Sequence, residues 1–406
     1  LTAEAIARNL GIIDENQHAV TGNELDQMDD EQLKLKLKET SAFARVSPEH
    51  KLRIVKVLQE QNEVTAMTGD GVNDAPALKQ ADIGVAMGIT GTDVSKGAAE
   101  MVLTDDNCAS IVSAVEEGRT IYDNIRKFIK YLLSSNVGEI LVMFTALMIG
   151  LKIPLLAIQI LWINLVTDGL PAIALGFSDP EPDVMERKPR PVNESIFAGG
   201  TGGHIVRIGI LIAVLTLAGF IYGFVSNGMD PFSSSLGIED FTREEVVALV
   251  DEEFAPENWD ELTTEQRMEI LEPEDGGSLL EEGEGESTIL SEAEKISRTI
   301  AFTVLAFTQM FEVMGIHAGD RVSFFKGWFK SNRLLLWAVL STFALQLAVI
   351  YVPFFQATFE TAPLSITDLI ISFVLGAMVL FAVEIEKMYL TRFGKEKSEN
   401  PAIANA

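Results

Sequence analysis

The chain has 406 residues, 48% of them hydrophobic, yet it carries 59 Asp and Glu against 31 Lys and Arg, a formal net charge of −28. With mean hydropathy at +0.22, apolar and charged residues must be segregated along the chain, and so acidic a balance excludes nucleic acid as a partner, because phosphate backbones recruit basic surfaces. A single cysteine, Cys108, excludes a disulfide framework within the chain and fits a cytoplasmic domain.

Residues 1–120 read as an α/β unit in which strands and helices alternate across 40–110, as a parallel sheet requires. Phe43 to Lys51 is a strand followed by a helix opened at Ser47-Pro48. An apolar strand from Val64 to Met67 runs into Met67-Thr68-Gly69-Asp70-Gly71-Val72-Asn73-Asp74-Ala75-Pro76-Ala77-Leu78, and a helix is expected from Ala75 to Ala81. Two glycines let the backbone turn tightly at the strand end, where Asp70 and Asp74 supply hard carboxylate oxygens suited to Mg²⁺ and the phosphate it carries. Two aspartates by themselves fit an acidic surface turn equally well; the full run of twelve is far more specific. Lys51, at the start of its helix, taken alone fits a solvated surface lysine.

Six apolar stretches follow, near 128–150, 155–177, 205–226, 296–316, 334–354 and 366–387. Each approaches the roughly 20 residues that cross a bilayer core of about 30 Å, so the lipid bilayer is an expected partner. No N-terminal signal peptide is visible. The first two stretches form a hairpin about Lys152-Ile153-Pro154. Arg126, Lys127 and Lys130 precede the first, and Arg187, Lys188, Arg190 and Arg207 lie between the second and third. Arg321, Lys326, Lys330 and Arg333 separate the fourth from the fifth, and Lys387, Arg392, Lys395 and Lys397 follow the sixth. Every other connection is basic, so these connections and both chain ends are expected on the cytoplasmic side.

The domain reading is therefore an α/β unit at 1–120, a stalk and three spans at 121–226, an acidic extracytoplasmic loop at 227–295, three spans at 296–390 and a cytoplasmic tail at 391–406. From Asp230 to Lys295 there are 22 Asp and Glu against three basic residues, which accounts for −19 of the net charge. Such a segment buries little core; a solvated loop with short helices near 242–253 and 263–271 is expected.

Polar side chains inside the spans are costly and ordinarily face a pathway or a partner. Asn136 and Glu139 share a face of the first span, and Asn164, Thr167 and Asp168 fall at i, i+3 and i+4 in the second, just before Gly169 and Pro171. The glycine and proline should loosen the helix and free backbone carbonyls. Gln309 and Glu312 are three apart in the fourth span. Taken singly, each fits a helix–helix hydrogen bond. Converging from three helices, their oxygens would make a dehydrated site for a hard cation.

The run from Met67 to Leu78 resembles the hinge motif of P-type cation-transporting ATPases. Similar stretches continue at Phe43–Lys51, Ile83–Gly88, Met101–Asp106 and Val115–Arg119. The resemblance implies a mixed fold: part of an α/β haloacid-dehalogenase-like phosphorylation domain with a Rossmannoid parallel sheet, then a six-helix transmembrane bundle. It also implies roles: Asp70 for Mg²⁺, Gly71 at the cofactor turn, Asn73 and Asp74 shaping the phosphate pocket and hinge, and Lys51 offsetting phosphoryl charge. Tyr131–Glu139 and Leu161–Pro171 are similar to calcium pumps of the sarcoplasmic reticulum type and their prokaryotic relatives, in which the residues matching Asn136, Glu139, Asn164, Thr167 and Asp168 bind transported Ca²⁺.

The fourth span is less decided. Reticulum-type pumps have glutamate where Gln309 stands, whereas sodium–potassium pumps have glutamine there and an acid three residues on, as at Glu312. Those sodium pumps carry aspartate at the position of Asn164. The expected function is ATP-driven export of Ca²⁺ from the cytoplasm across the cell membrane through a phospho-aspartate, with Na⁺ or Mn²⁺ as alternative cargo. No Asp-Lys-Thr-Gly-Thr occurs, so the phosphorylated aspartate, the nucleotide and actuator domains and earlier spans are expected in a missing N-terminal part of the same polypeptide, and the chain alone is expected to be inactive. Two other readings are a non-catalytic membrane cation-binding protein and a phosphatase-like domain on an anchor; the second lacks its nucleophile.

Overall fold

The computed structural model describes residues 2–227, 292–319, 322–325 and 332–399, with isolated residues between 231 and 266. Nearly all of the acidic connection read over 227–295, including the helices expected near 242–253 and 263–271, lies outside the described residues. The chain divides into two units, residues 1–120 with 182–196, and residues 121–181 with 197–406.

In the first unit, α1 (Thr2–Asn9), β1 (Val20–Thr21), α2 (Gly22–Gln27) and α3 (Asp30–Glu39) lead to β2 (Phe43–Ala44) and α4 (Pro48–Glu60). Then come β3 (Ala66–Gly69), α5 (Ala75–Gln80), β4 (Ile83–Met87), α6 (Asp93–Ala98) and β5 (Met101–Leu103). Strands β3, β4 and β5 pair in that order, all parallel, with Ala66 opposite Ile83 and Val85 opposite Met101. Each parallel step is made by a crossover through α5 or α6, the connection that parallel pairing requires. The expected alternation from residue 40 onward needs one correction: β2 does not join this sheet but pairs with β1 in a parallel ribbon of its own.

Strand β3 also starts later than the apolar pattern suggests. Asp82 accepts hydrogen bonds from Thr65 N and Oγ1 at 2.8 and 2.9 Å, and Thr65 O accepts from the amides of Asp82 and Ile83, so residues 64–65 serve a side-chain clamp before the ladder begins. Helix α4 opens as its sequence indicates. Ser47 Oγ accepts from the His50 amide, and His50 Nδ1 accepts in return from the Ser47 amide, with Pro48 at the first helical position. Leu33, Leu25, Val57 and Val20 form a core under α2, α3 and α4, each fully buried side chain contributing about 1.5–3 kcal/mol.

Among the described residues six helices are long and apolar enough to cross a membrane: Cys108–Met148, Ala157–Leu175, Thr201–Ser226, Glu294–His317, Arg333–Tyr351 and Ile366–Arg392. The first is a continuous helix of 41 residues, and the division between the units falls within it. Gly150, at φ +74°, turns the chain into the 151–156 connection before the second span. The fourth span is buried almost throughout, and glycines set how closely its neighbours approach. A Cβ on Gly223 of the third span would lie 2.6 Å from Ser297 Cα, and one on Gly376 of the sixth would lie 2.6 Å from Phe307 Cβ. Small residues at such contacts are how membrane helices gain packing without a solvent-driven term.

Candidate functional site

Two clusters contain the residues singled out by sequence, one in each unit. In the first unit, β3 ends at Gly69 and the chain passes through a short 3₁₀ turn, Val72–Asp74, into α5. Gly69 is required sterically: a Cβ there would lie 2.5 Å from Asp74 Cβ. That close approach folds Asp74 back against the strand end, where Gly71 N donates to its Oδ2 at 3.3 Å and Lys51 Nζ to its Oδ1 at 2.6 Å. Burial acts to raise the Asp74 carboxyl, but the Lys51 ammonium and the Gly71 amide outweigh it and hold the group below the ordinary aspartate value. Lys51 and Asp74 are thus joined directly across 23 residues of sequence.

Asp70 behaves differently. Its carbonyl accepts from Thr92 N at 3.0 Å and Ser95 Oγ at 3.2 Å, which fastens the strand end to α6, while its side chain stays exposed. Its exposed carboxylate at the strand end is a hard oxygen donor of the kind Mg²⁺ takes. Asn73 is exposed on the same turn. One participant escaped the sequence reading: Asp106, at φ +49°, accepts from the amides of Gly88, Ile89 and Thr90 at 2.6, 3.0 and 2.8 Å and from Thr90 Oγ1 at 2.8 Å. Those amide bonds, led by Ile89, bring its carboxyl down to about 2 and rigidify the loop after β4.

In the second unit the expected loosening of the second span takes a definite form. The helix runs Ala157–Trp162, widens to a π-turn over Ile163–Thr167, and resumes at Gly169–Leu175. The Asp168 amide donates five residues back to Ile163 O at 2.8 Å. Pro171 has no N–H to return to Thr167 O, and that carbonyl accepts from the Tyr131 hydroxyl at 3.3 Å instead. Tyr131 also lies 3.0 Å from Asp168 Oδ1 and donates there. A π-turn beside proline delivers a buried carboxylate and a re-partnered carbonyl to the bundle interior.

Glu139 lies at the centre of three spans. Its Oε2 accepts from Asn164 Nδ2 and its Oε1 from Gln309 Nε2, both at 2.9 Å. Glu312 is fully buried and accepts from Ser134 Oγ. Four acceptor atoms around these groups are buried without a hydrogen-bond partner: Thr167 Oγ1, Asp168 Oδ2, Gln309 Oε1 and Glu312 Oε2. Asn136 is not drawn in; its amide donates to Leu132 O of its own helix at 2.7 Å. Among the described residues no three His, Cys, Asp or Glu side chains already converge as a metal cage. The carboxylates are instead distributed, each braced by a neutral donor: Asn164 and Gln309 on Glu139, Tyr131 on Asp168, Ser134 on Glu312. Tyr131 and Ser134 lie within the run that resembles the calcium pumps, yet nothing in the sequence marks either as part of the site, because an uncharged hydroxyl gives no signal until its partner is known.

A family model described as "Cation transporting ATPase, C-terminus" matches residues 152–389, more than half of the chain. This chain belongs to the P-type cation-transporting ATPases. Models for haloacid dehalogenase-like hydrolases match residues 1–82 and 51–115, the α/β unit. The chain is 43% identical to a calcium-transporting ATPase of Bacillus subtilis over 380 residues, covering 94% of this chain and 35% of that protein. It is 38% identical to an endoplasmic reticulum calcium ATPase of Aspergillus fumigatus over 372 residues, 90% of this chain and 35% of the relative. A calcium-transporting ATPase of Listeria monocytogenes is 56% identical over 216 residues, 53% of this chain and 24% of the relative. The chain thus spans about a third of the length of the first two relatives. The mixed fold expected from sequence, an α/β haloacid-dehalogenase-like unit with a six-helix membrane bundle, is the fold observed.

Proposed function

We propose that this chain is the membrane and partial phosphorylation portion of an ATP-driven pump that exports a divalent cation, Ca²⁺, across the cell membrane, with the α/β unit on the cytoplasmic side. The observation that carries the reading is the set of four partnerless buried acceptors on Thr167, Asp168, Gln309 and Glu312. A buried polar atom left unpaired costs about 1–3 kcal/mol, and four on candidate ligands of the second and fourth spans are a large cost for a structural purpose alone. A cation with oxygen ligands would satisfy them at once. Glu139, Asn164, Thr167, Asp168, Gln309 and Glu312 are the ligand candidates, and Asn136 would join only by releasing its own helix's carbonyl. The relatives' names as calcium-transporting ATPases support Ca²⁺ as cargo.

In the α/β unit, Asp70 would hold Mg²⁺, which when bound offsets phosphate charge. Lys51 and Asp74 would position the phosphate side of the turn, with Gly71 and Asn73 shaping its mouth. ATP hydrolysis is supported by the names of the relatives, and a phospho-aspartate only by the resemblance of the Met67–Leu78 run to the pumps' hinge motif.

A second reading, Na⁺ transport, is favoured by one contact: Gln309 donates to Glu139 and puts a neutral amide where a fourth carboxylate would otherwise stand. Both are decided by titrating Ca²⁺, Na⁺ and Mn²⁺ calorimetrically into the purified chain in lipid nanodiscs. Ca²⁺ binding that Glu139→Gln and Asp168→Asn abolish supports the pump reading. Binding of Na⁺ with indifference to Ca²⁺ selects the second, and no cation binding at all refutes both.

A further inference from the structure

The third span contributed nothing to the sequence-based site, yet His204, near its start, is buried at 1% exposure and stands between two carboxylates. Its Nδ1 lies 2.6 Å from Glu386 Oε2 on the sixth span, and Glu386 is itself paired with Arg207, one turn on from His204. The other ring nitrogen, Nε2, has no hydrogen-bond partner and faces Glu312 Oε1 of the fourth span at 3.8 Å. Glu312 Oε1 also accepts from Ser134 of the first span, while Glu312 Oε2 is buried without a partner. One oxygen of this carboxylate is therefore flanked by side chains from two other helices, and the other is left free.

That asymmetry is what a fixed ligand needs. A glutamate carries three side-chain torsions, and its free oxygen points in one direction only if the bound oxygen is held. A histidine anchored at one nitrogen cannot swing about its own torsions, so Glu386 fixes where Nε2 sits. On the reading that the intramembrane cluster binds a cation, we propose that His204 is a positioning residue of that site: anchored by Glu386, it braces Glu312 and thereby sets the direction of the oxygen offered to the ion. The chain Glu386–His204–Glu312 spans the sixth, third and fourth helices, and links the site to two helices that supply no ligand of their own.

The test is calorimetric cation binding to the full chain in lipid nanodiscs, using whichever of Ca²⁺, Na⁺ and Mn²⁺ the unsubstituted chain binds. Variants are His204→Ala, His204→Gln, Glu312→Gln and the double His204→Ala/Glu312→Gln. Freeing one rotamer-rich ligand should weaken binding about tenfold in His204→Ala. His204→Gln, whose amide N–H can reach the place of Nε2, should recover most of that loss. In the Glu312→Gln background His204→Ala should cause no further loss, because its effect travels through Glu312. Equal weakening in both backgrounds, or no weakening while the ion still binds, would overturn the proposal and leave His204 as a packing contact between helices. If His204→Ala does not fold, Glu386→Ala is read in the same two backgrounds with the same expectations. Absence of binding by the unsubstituted chain would remove the cation reading itself, a result distinct from either pattern among the variants.

Discussion

Replacing Lys51 by alanine isolates what the joined pair contributes to the phosphate turn. The ammonium sits 2.6 Å from Asp74 Oδ1, and Asp74's side chain is 8% exposed while that of Lys51 is 35% exposed. A hydrogen bond to a charged partner contributes about 1.5–3 kcal/mol, and the half-open lysine places this one at the low end, about 1.5 kcal/mol or roughly tenfold in the local opening equilibrium. The pair also sets a pH dependence. In the native chain the Asp74 carboxyl is held below its ordinary value, so its contribution is complete above that value and lost only as pH falls through the lowered one. Without Lys51 only the backbone amides of Gly71 and Asp70 remain to oppose burial, so the lowering of the Asp74 carboxyl is reduced and its contribution to stability shrinks. Amide hydrogen exchange over residues 66–80 reads this directly. Lys51→Ala should exchange about tenfold faster than the native chain at pH 7, with the deficit shrinking only as pH falls through the ordinary aspartate value and below it, and Asp74→Asn should remove most of the difference. Equal exchange at pH 7, or a deficit that widens on acidification, would falsify the assignment of Lys51 as Asp74's counter-charge.

Three further outcomes follow from individual contacts. The Asp106 carboxyl, at about 2, keeps the loop at residues 88–90 protected from hydrogen exchange at and above its ordinary aspartate value, with protection lost as pH falls toward 2; Asp106→Ala should remove the protection at every pH. Pro171→Ala restores an N–H able to reach Thr167 O, so the second span should gain helical hydrogen bonding, visible as slower exchange around 163–171, while cation binding weakens as Tyr131 loses one acceptor. Gly223→Ala forces a Cβ to 2.6 Å from Ser297 Cα and should destabilise the bundle by about 1–3 kcal/mol, lowering the thermal unfolding midpoint in nanodiscs; an unchanged midpoint would mean the third and fourth spans are not held at this separation.

Features carried by local pattern were legible in the sequence. Ser47-Pro48 announced the start of α4 because a cap and an N1 proline act within one turn. Gly169 and Pro171 announced an irregular second span because proline removes one named hydrogen bond wherever it stands in a helix. The details that escaped are those decided by a partner distant in sequence. β2 was assigned to the main sheet because a strand-and-helix pattern cannot say which edge a strand joins, and its partner β1 is two residues long. Asp106 was quoted only as the end of a similar stretch, since three amides 16 to 18 residues away define what it does.

The membrane site shows the same limit more sharply. Charged or amide side chains in an apolar run stand out by their cost, so Glu139, Asn164, Asp168, Gln309 and Glu312 could be picked singly. Their pairing could not, because hydrogen-bond partners lie 25 to 170 residues apart for Glu139 alone. Asn136 shows the converse: three residues from Glu139 on one helix face, it satisfies its amide on Leu132 O and makes no hydrogen bond to the cluster. Spacing along one helix identifies candidates for a face, but which of them reaches the interior depends on whether a nearer carbonyl has already taken the donor. The partnerless acceptors of Thr167, Asp168, Gln309 and Glu312 are a signal of another kind, one that can be recognised only once the spans are packed.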